Sequence, residues 1–138
     1  MRILIADAFP ETGVSILVAR GHEVVYEPST STSQLASSVA GVDVLVVRST
    51  VVDAGVFETD QLHTVIRAGA GVNTIDLSAA RTAGVRVCNT PGQNAAAVAE
   101  LTLGLMLAID RKIADNVIDL RAGTWNKALY SNARGLKG

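Results

Sequence analysis

A phrase that recurs three times along the chain constrains its fold more than any other feature. At 19–24, 39–44 and 82–87, the end of a helix-like stretch is followed by a glycine and then by apolar, mostly β-branched residues. A glycine in this place typically caps a helix in the left-handed conformation. We therefore expect three points at which a helix ends and a strand begins almost at once.

Five short apolar runs predict the strands, at residues 3–6, 24–26, 44–47, 65–66 and 85–88. Runs without polar alternation are typical of parallel strands that are covered on both faces. Helices are predicted between them at 11–20, 33–40, 53–59 (short) and 76–83, with Ser33 and Asp76 as helix caps. The alternation through about residue 90 predicts an α/β fold, namely a flavodoxin-like, doubly wound parallel sheet.

A second region begins where the loop 89–94 leads into a long helical pattern. Asn94 is placed to cap a single helix that continues to about residue 121. Such a helix would be roughly 40 Å long at 1.5 Å per residue, which exceeds the width of a small domain. We therefore expect one domain over 1–94 and the beginning of a second, incomplete one over 95–138. The first half of the helix is apolar almost all round and needs cover on every side.

Composition excludes several classes of partner. Twelve Lys and Arg against thirteen Asp and Glu give a net charge of -1, so we expect no nucleic acid partner. The longest apolar run, 95–109, contains Glu100 and is shorter than the roughly 18 residues of a membrane span, so we expect no membrane partner. The single Cys88, expected to be inert packing, and an amino terminus without an apolar signal region favour a cytoplasmic location.

Polar residues follow four of the predicted strands at the edge where ligands bind in such sheets. They are Asp7, the segment Arg48-Ser49-Thr50, the segment that begins at Arg67, and the loop that begins at Asn89. Two arginines together with glycine-loop amides suit a small anion. The segment 69–74 could be a dinucleotide phosphate loop, a plain tight turn, or a loop whose amides approach a substrate. Thr74 at its last position favours the last interpretation over the first.

The remaining titratable residues predict neither a catalytic group nor a metal site. His22 and His63 both precede strands, at the edge opposite the polar loops, so neither is placed to act as a general base there. One cysteine, two separated histidines and no cluster of carboxylates give no set of metal ligands.

The segments 46–50, 66–72 and 88–94, with Ala99-Glu100-Leu101 downstream, resemble the D-2-hydroxyacid dehydrogenase family. The resemblance implies a bilobal enzyme that transfers hydride between NAD and a 2-hydroxy acid. Residues 1–94 would then be the substrate-binding domain without its carboxy-terminal return, and 95–138 the crossover helix and arm of a truncated NAD-binding Rossmann domain. The catalytic arginine, glutamate and histidine of the family have no counterpart here, so no catalytic residue is assigned.

The resemblance also implies binding roles. The amides of Gly69, Ala70 and Gly71 would hold the substrate carboxylate, and Ala70 would lie near the nicotinamide of NAD. The other residues that it assigns to the substrate site are Arg48 and Arg67, with Ser49 assisting, for the phosphate of 3-phosphoglycerate, and Asn89 for the floor of the cleft. Two features depart from the family pattern, because Asn73-Thr74 replaces Asp-Asn and Ala70 replaces a frequent threonine.

The full-length enzyme would oxidise 3-phosphoglycerate to 3-phosphohydroxypyruvate, a step of serine biosynthesis, as a homodimer formed through the helix 94–121. This chain alone is expected to be inactive and not to bind NAD tightly. The alternative is a stand-alone flavodoxin-like module that binds an anion or dimerises without catalysis. A phosphate-accepting receiver domain is disfavoured, since Arg48 stands where that class needs an aspartate.

Overall fold

The computed structural model describes residues 1–136 and divides into two compact units, Met1–Gln93 and Asn94–Gly138. The first unit alternates strands with helices, as the sequence predicts. Its elements in chain order are β1 (Arg2–Ile5), α1 (Glu11–Ala19), β2 (Glu23–Tyr26), α2 (Thr32–Ser38), β3 (Val44–Val47), a 3-10 turn (Ala54–Phe57), β4 (Thr64–Arg67), α3 (Leu77–Thr82) and β5 (Arg86–Asn89).

The five strands form one parallel sheet in the order β2-β1-β3-β4-β5. This is the flavodoxin-like order, so the predicted sheet is confirmed. In the register, Val47 of β3 pairs with Arg67 of β4, and Arg67 pairs with Asn89 of β5. The carboxyl ends of these neighbouring strands are therefore level, and the loops that follow them start side by side.

The two faces of the sheet are covered unequally. The larger apolar cluster joins strand residues such as Leu4, Leu45 and Val65 to α2, the 3-10 turn and α3. On the other face, Ile3, Ile5 and Val46 pack with side chains of α1, and that cluster ends at Ile66 of β4. Cys88 pairs with Ile66 in the register but lies on the edge strand beyond the cluster, and it is exposed. The expectation that Cys88 serves as packing is therefore wrong, and its chemical inertness stays a prediction.

Helix caps agree with the sequence in one case and differ in another. Asp76 caps α3, where its Oδ1 accepts a hydrogen bond from the amide of Ala79 at 2.9 Å. The predicted cap Ser33 is wrong, because α2 begins one residue earlier, at Thr32, with Ser31 as its cap. The amide of Ser31 donates to Gln34 Oε1 at 3.1 Å, so a glutamine three residues on completes the start of the helix.

The three recurring glycines have the conformation that the sequence predicts. Gly21, Gly41 and Gly84 have φ angles of +82°, +72° and +71°. Each therefore ends its helix in the left-handed region, where a side chain would be strained.

The second unit differs from the single helix predicted for 94–121. It contains α4 (Ala95–Asp110), α5 (Ile113–Arg121) and the short α6 (Lys127–Tyr130). The helix breaks at Lys112, which has a left-handed conformation with φ 50° and ψ 42°. The carboxylate of Asp110 accepts hydrogen bonds from the amides of Arg134, at 2.9 Å, and Gly135, at 3.1 Å. These tertiary bonds lie at the end of α4, next to the break, and the local sequence pattern carries no sign of them.

Two further features of the second unit bear on the sequence predictions. Asn94 stands at the start of α4, but its side chain makes no capping hydrogen bond, because its backbone is not extended there (φ -106°, ψ 8°). The prediction that Asn94 caps the helix is therefore wrong. Among residues 1–136, no helix combines the length and apolar character required to cross a membrane.

Candidate functional site

The candidate site is the edge of the first unit where the strands end. The loops after β1, β3, β4 and β5 follow one another along this edge, because those four strands are neighbours in that order. Asp7, the segment 48–50, the segment 68–74 and the loop 90–93 are therefore consecutive in space. His22 and His63 precede β2 and β4, at the opposite edge, as the sequence predicts.

Asp7 fixes the loop that follows β3. Its Oδ2 accepts hydrogen bonds from three successive amides, those of Arg48 at 2.7 Å, Ser49 at 3.0 Å and Thr50 at 3.0 Å. Burial alone raises the pKa of Asp7, but the hydrogen bonds from these amides outweigh it and hold the pKa below its ordinary value of 3.8. The carboxylate is therefore ionised at neutral pH.

Sequence reasoning missed this role of Asp7. The available signal was an acidic residue directly after the first strand, facing a polar loop after the strand next to it in a flavodoxin-like sheet. The partners themselves are backbone amides, which carry no side-chain signature.

The side chains of Arg48 and Ser49 remain accessible at this edge. Both residues are exposed, although their amides are bound to Asp7. Within residues 1–136 the guanidinium of Arg48 forms neither an ion pair nor a hydrogen bond. The site thus presents a cationic group whose backbone is fixed and whose charge is not neutralised by another part of the described chain.

The glycine loop after β4 is held by its carbonyl groups. Asn89 Nδ2 donates to the carbonyl of Ala70 at 2.7 Å, and Arg67 Nη1 donates to the carbonyl of Gly71 at 2.7 Å. The carbonyl of Gly69 accepts from the amide of Thr90 at 3.0 Å. In the described part of the chain, the amides of Ala70 and Gly71 donate to no acceptor. The amide of Gly69 donates to the carbonyl of Arg67 at 2.8 Å, so the prediction that it is free to hold a carboxylate is wrong, and only the amides of Ala70 and Gly71 are available to an anion.

Arg67 supports this loop directly. Its guanidinium is partly buried, and its Nε has no partner within the described residues, while Nη1 binds Gly71. A Cβ on Gly69 would lie 2.9 Å from Nη1 of Arg67, which is closer than such atoms approach. Gly69 therefore leaves the space that this guanidinium occupies. The geometry shows a bond from Arg67 to the loop, and its expected contact with a phosphate stays a prediction.

The far end of the loop is anchored to the segment after β3. The amide of Val52 donates to the carbonyl of Thr74 at 2.8 Å, and the amide of Asp76 donates to the carbonyl of Val52 at 2.9 Å. Val52 and Ile75 thereby form an isolated parallel bridge. A dinucleotide phosphate loop leads directly into a helix whose amino terminus faces the phosphates. Here the glycine segment leads into a bridge instead, so its geometry does not fit that interpretation.

The arrangement as a whole can bind a small anion with two charged ends. Free loop amides suit a carboxylate, and an exposed guanidinium suits a second anionic group. Among the side chains of residues 1–136, no three His, Cys, Asp or Glu residues come together as metal ligands. The described residues bring the predicted site residues to one edge, and they give Asp7, which the sequence also places there, the role of holding the loop after β3.

Comparison with known proteins gives the family. Residues 3–134 match the model of the D-isomer specific 2-hydroxyacid dehydrogenase catalytic domain. A hydroxypyruvate reductase from Thermotoga maritima is 38% identical over 91% of this chain, which spans 42% of that relative. A D-3-phosphoglycerate dehydrogenase from Methanocaldococcus jannaschii is 38% identical over 94% of this chain, which spans 25% of that relative. The chain thus covers less than half the length of either relative.

Solved structures agree with this. The TT0316 protein from Thermus thermophilus superposes with a TM-score of 0.83 at 31% identity, over 96% of this chain and 45% of that one. The NAD+-bound 3-phosphoglycerate dehydrogenase of Entamoeba histolytica gives a TM-score of 0.72 at 34% identity, over 81% of this chain and 40% of that one. With the family model covering nearly the whole sequence, this chain belongs to the D-isomer specific 2-hydroxyacid dehydrogenase family.

Proposed function

We propose that this chain is the substrate-binding portion of an NAD-dependent dehydrogenase that oxidises 3-phosphoglycerate to 3-phosphohydroxypyruvate. In this proposal the first unit holds the substrate and the second begins the nucleotide domain. A relative that is named a D-3-phosphoglycerate dehydrogenase supports the choice of substrate, whereas another is named a hydroxypyruvate reductase and represents the unphosphorylated alternative. The proposal includes the predicted cytoplasmic location and the role in serine biosynthesis that the resemblance implies.

The observation that carries the proposal is the pair of free amides in a loop whose carbonyls at residues 69–71 are all bound. Asn89, Arg67 and Thr90 hold the carbonyls of residues 69–71, and the amides of Ala70 and Gly71 have no acceptor within residues 1–136. A carboxylate could accept both amides without any change in the loop. Preorganised donors of this kind bind an anion without a cost of reorganisation.

The second anionic end of the substrate would meet Arg48 and Ser49. A guanidinium binds a phosphate through strong, charge-assisted hydrogen bonds. Hydroxypyruvate and glycerate lack this phosphate. An enzyme that acts on 3-phosphoglycerate would therefore need Arg48 for binding, whereas a hydroxypyruvate reductase would not.

The NAD that this proposal requires would accept the hydride from the substrate carbon. The described residues do not fit its phosphates, because the segment 69–74 ends in the bridge at Ile75 and not at the start of a helix. We therefore assign the NAD phosphates to residues outside this sequence, and only Ala70 is expected to lie near the nicotinamide. The residues of this chain bind and orient the substrate, and none is assigned to proton transfer.

The test uses the complete product of the gene that encodes this sequence. Arg48→Ala should raise KM for 3-phosphoglycerate by roughly 10- to 100-fold, the equivalent of one charge-assisted hydrogen bond, and should raise KM for D-glycerate much less. Arg20→Ala removes the same charge at the exposed end of α1 and serves as the matched control. Equal effects of Arg48→Ala on both substrates would remove Arg48 from the phosphate site.

We further propose that α4 mediates homodimerisation. A stripe with helical spacing along α4 is more than half exposed, with exposed fractions of 52% for Val98, 63% for Leu101, 53% for Leu105 and 77% for Ile109. Leu103 and Leu107, on the opposite side, are 56% and 43% exposed. Apolar surface on both sides of one helix is unusual for an uncovered helix and favours burial against a second copy.

Leu105→Glu tests the dimer. A carboxylate placed at a buried apolar interface without a partner costs several kcal/mol, so the variant should sediment as a monomer at concentrations where the unmodified chain is a dimer. Ala114→Glu adds the same charge beside Asp115 on α5 and should leave the dimer intact. An unmodified chain that sediments as a monomer would end this proposal. A gene product that dimerises and binds phosphate but oxidises no hydroxy acid would favour the stand-alone module.

A further inference from the structure

Asp7 has no part in the substrate contacts proposed above, yet its carboxylate organises the loop that carries two of them. Three consecutive amides, those of Arg48, Ser49 and Thr50, converge on its Oδ2 at 2.7, 3.0 and 3.0 Å. Successive backbone N–H groups that point to one centre form a concavity that binds anions. In this protein the concavity is filled by a side chain of the same molecule.

The filled concavity has a consequence for recognition. The three amides are occupied by Asp7, so the segment 48–50 can contact a substrate only through its side chains. The frame behind Asp7 is fixed as well, since Ala6 is fully buried and its amide donates to the carbonyl of Val46 at 3.0 Å. The carboxylate thus ties the end of β1 to the loop after β3, across 41 residues of sequence.

We propose that Asp7 is a positioning residue: an internal anion that holds the loop 48–50 in the conformation from which Arg48 and Ser49 meet the phosphorylated end of the substrate. This inference rests on the proposed function for its substrate. The tie between Asp7 and the loop can be tested without any substrate.

The first test removes the internal anion and supplies an external one. Asp7→Gly in the 138-residue chain should expose the amides of residues 48–50, seen as faster hydrogen exchange and shifted resonances. Added formate should restore both in a saturable way, because it carries the same carboxylate and fits the vacated space. Acetate, which is larger by a methyl group, should restore less, and chloride should restore nothing.

Two controls make the result specific. Formate should leave the amides of residues 48–50 unchanged in the unmodified chain, since Asp7 already fills the concavity that they form. Asp53→Gly removes a carboxylate that accepts only one amide, that of Gly55 at 3.1 Å, and formate should restore nothing there. If the amides of residues 48–50 stay protected in Asp7→Gly, or do not respond to formate, the proposal is overturned.

The second test asks whether the loop serves the substrate. In the complete gene product, Asp7→Gly should raise KM for 3-phosphoglycerate about tenfold, while kcat changes less than about twofold. Formate should lower KM again in the same samples. Asp7→Asn keeps an acceptor oxygen without the charge and should give an intermediate KM. An unchanged KM in a variant whose loop amides are exposed would refute the positioning role.

The remaining outcomes are also decisive. If Asp7→Gly folds only when formate is present, that dependence supports the internal anion. If it stays unfolded with formate while Asp7→Asn shows the loop protection of the unmodified chain, the charge of Asp7 is not required and the proposal fails. An unmodified gene product without dehydrogenase activity would overturn the proposed function, and formate rescue of the loop amides would show that the tie itself is sound.

Discussion

Replacement of Gly69 by alanine tests the coupling between Gly69 and Arg67 in the glycine loop after β4. The φ angle of Gly69 lies outside the left-handed region, so alanine brings no backbone strain at this position. The new Cβ would, however, lie 2.9 Å from Nη1 and 3.3 Å from Cζ of Arg67. The guanidinium must therefore move away from the loop.

The expected cost follows from what Arg67 loses when it moves. Its Nη1 donates to the carbonyl of Gly71 at 2.7 Å, a charge-assisted hydrogen bond of a class that contributes about 1.5 to 3 kcal/mol. Because Arg67 is only partly buried, water can form hydrogen bonds with the separated groups and reduce the loss. We therefore expect the unfolding free energy to fall by about 1.5 kcal/mol. Without this bond the carbonyl of Gly71 would no longer be held, and the free amides of Ala70 and Gly71 would lose their fixed orientation. We therefore expect substrate affinity to fall together with stability.

Urea denaturation measures this loss, provided that the probe reports on the first unit. Trp125 belongs to the second unit, so tryptophan fluorescence would follow the wrong transition. Hydrogen exchange of a core amide such as that of Val65, followed against urea, reports on the sheet itself. With a slope of about 1 to 1.5 kcal/mol per molar urea, the midpoint should fall by about 1 M.

A double-mutant cycle identifies the atoms responsible. In an Arg67→Ala background the obstructing guanidinium is absent, so Gly69→Ala should cost almost nothing there. If the cost of the double variant equals the sum of the two single variants within about 0.5 kcal/mol, Arg67 and Gly69 are not coupled, and our reason for a glycine at this position is refuted.

Two predictions concern titrating groups. The pKa of Asp7 is lowered in the folded chain, so the stabilisation by its charged form is complete above the ordinary pKa of 3.8 and is lost as the pH falls below that value. At pH 6 the unfolding free energy of the unmodified chain should therefore be about 1 to 2 kcal/mol larger than that of Asp7→Asn, and this difference should become smaller below pH 4. The hydrogen bond to Asp119 raises the pKa of Tyr130 to about 12; in a Tyr26→Phe background, where Tyr130 alone titrates, Asp119→Asn should bring the pKa measured by tyrosinate absorbance back to about 10.

The fold could be predicted from the sequence because a repeated pattern of strands and helices determines the position of many residues at once. Five apolar runs and three capping glycines were enough to predict the sheet order, and the order alone places Arg48, Arg67 and Asn89 at one edge. Sequence reasoning failed at the break in the second unit. The break at Lys112 is accompanied by hydrogen bonds from residues more than twenty positions away to Asp110, and the helical sequence pattern continues unchanged through it. No local rule distinguishes that stretch from a continuous helix.

Gly69 is a second case, within the site, in which a tertiary contact explains what the local sequence pattern does not. A glycine-rich turn after a strand suggests glycines chosen for backbone freedom or for close approach to a ligand. In the structure, Gly69 needs no unusual φ, and the group that approaches its Cα is the guanidinium of Arg67. That guanidinium binds the carbonyl of Gly71, as Asn89 binds that of Ala70. Because the carbonyls are held by the protein, the amides are left for the ligand. In the proposed function, the glycine would therefore serve substrate binding indirectly, by making room for the side chain that binds the loop.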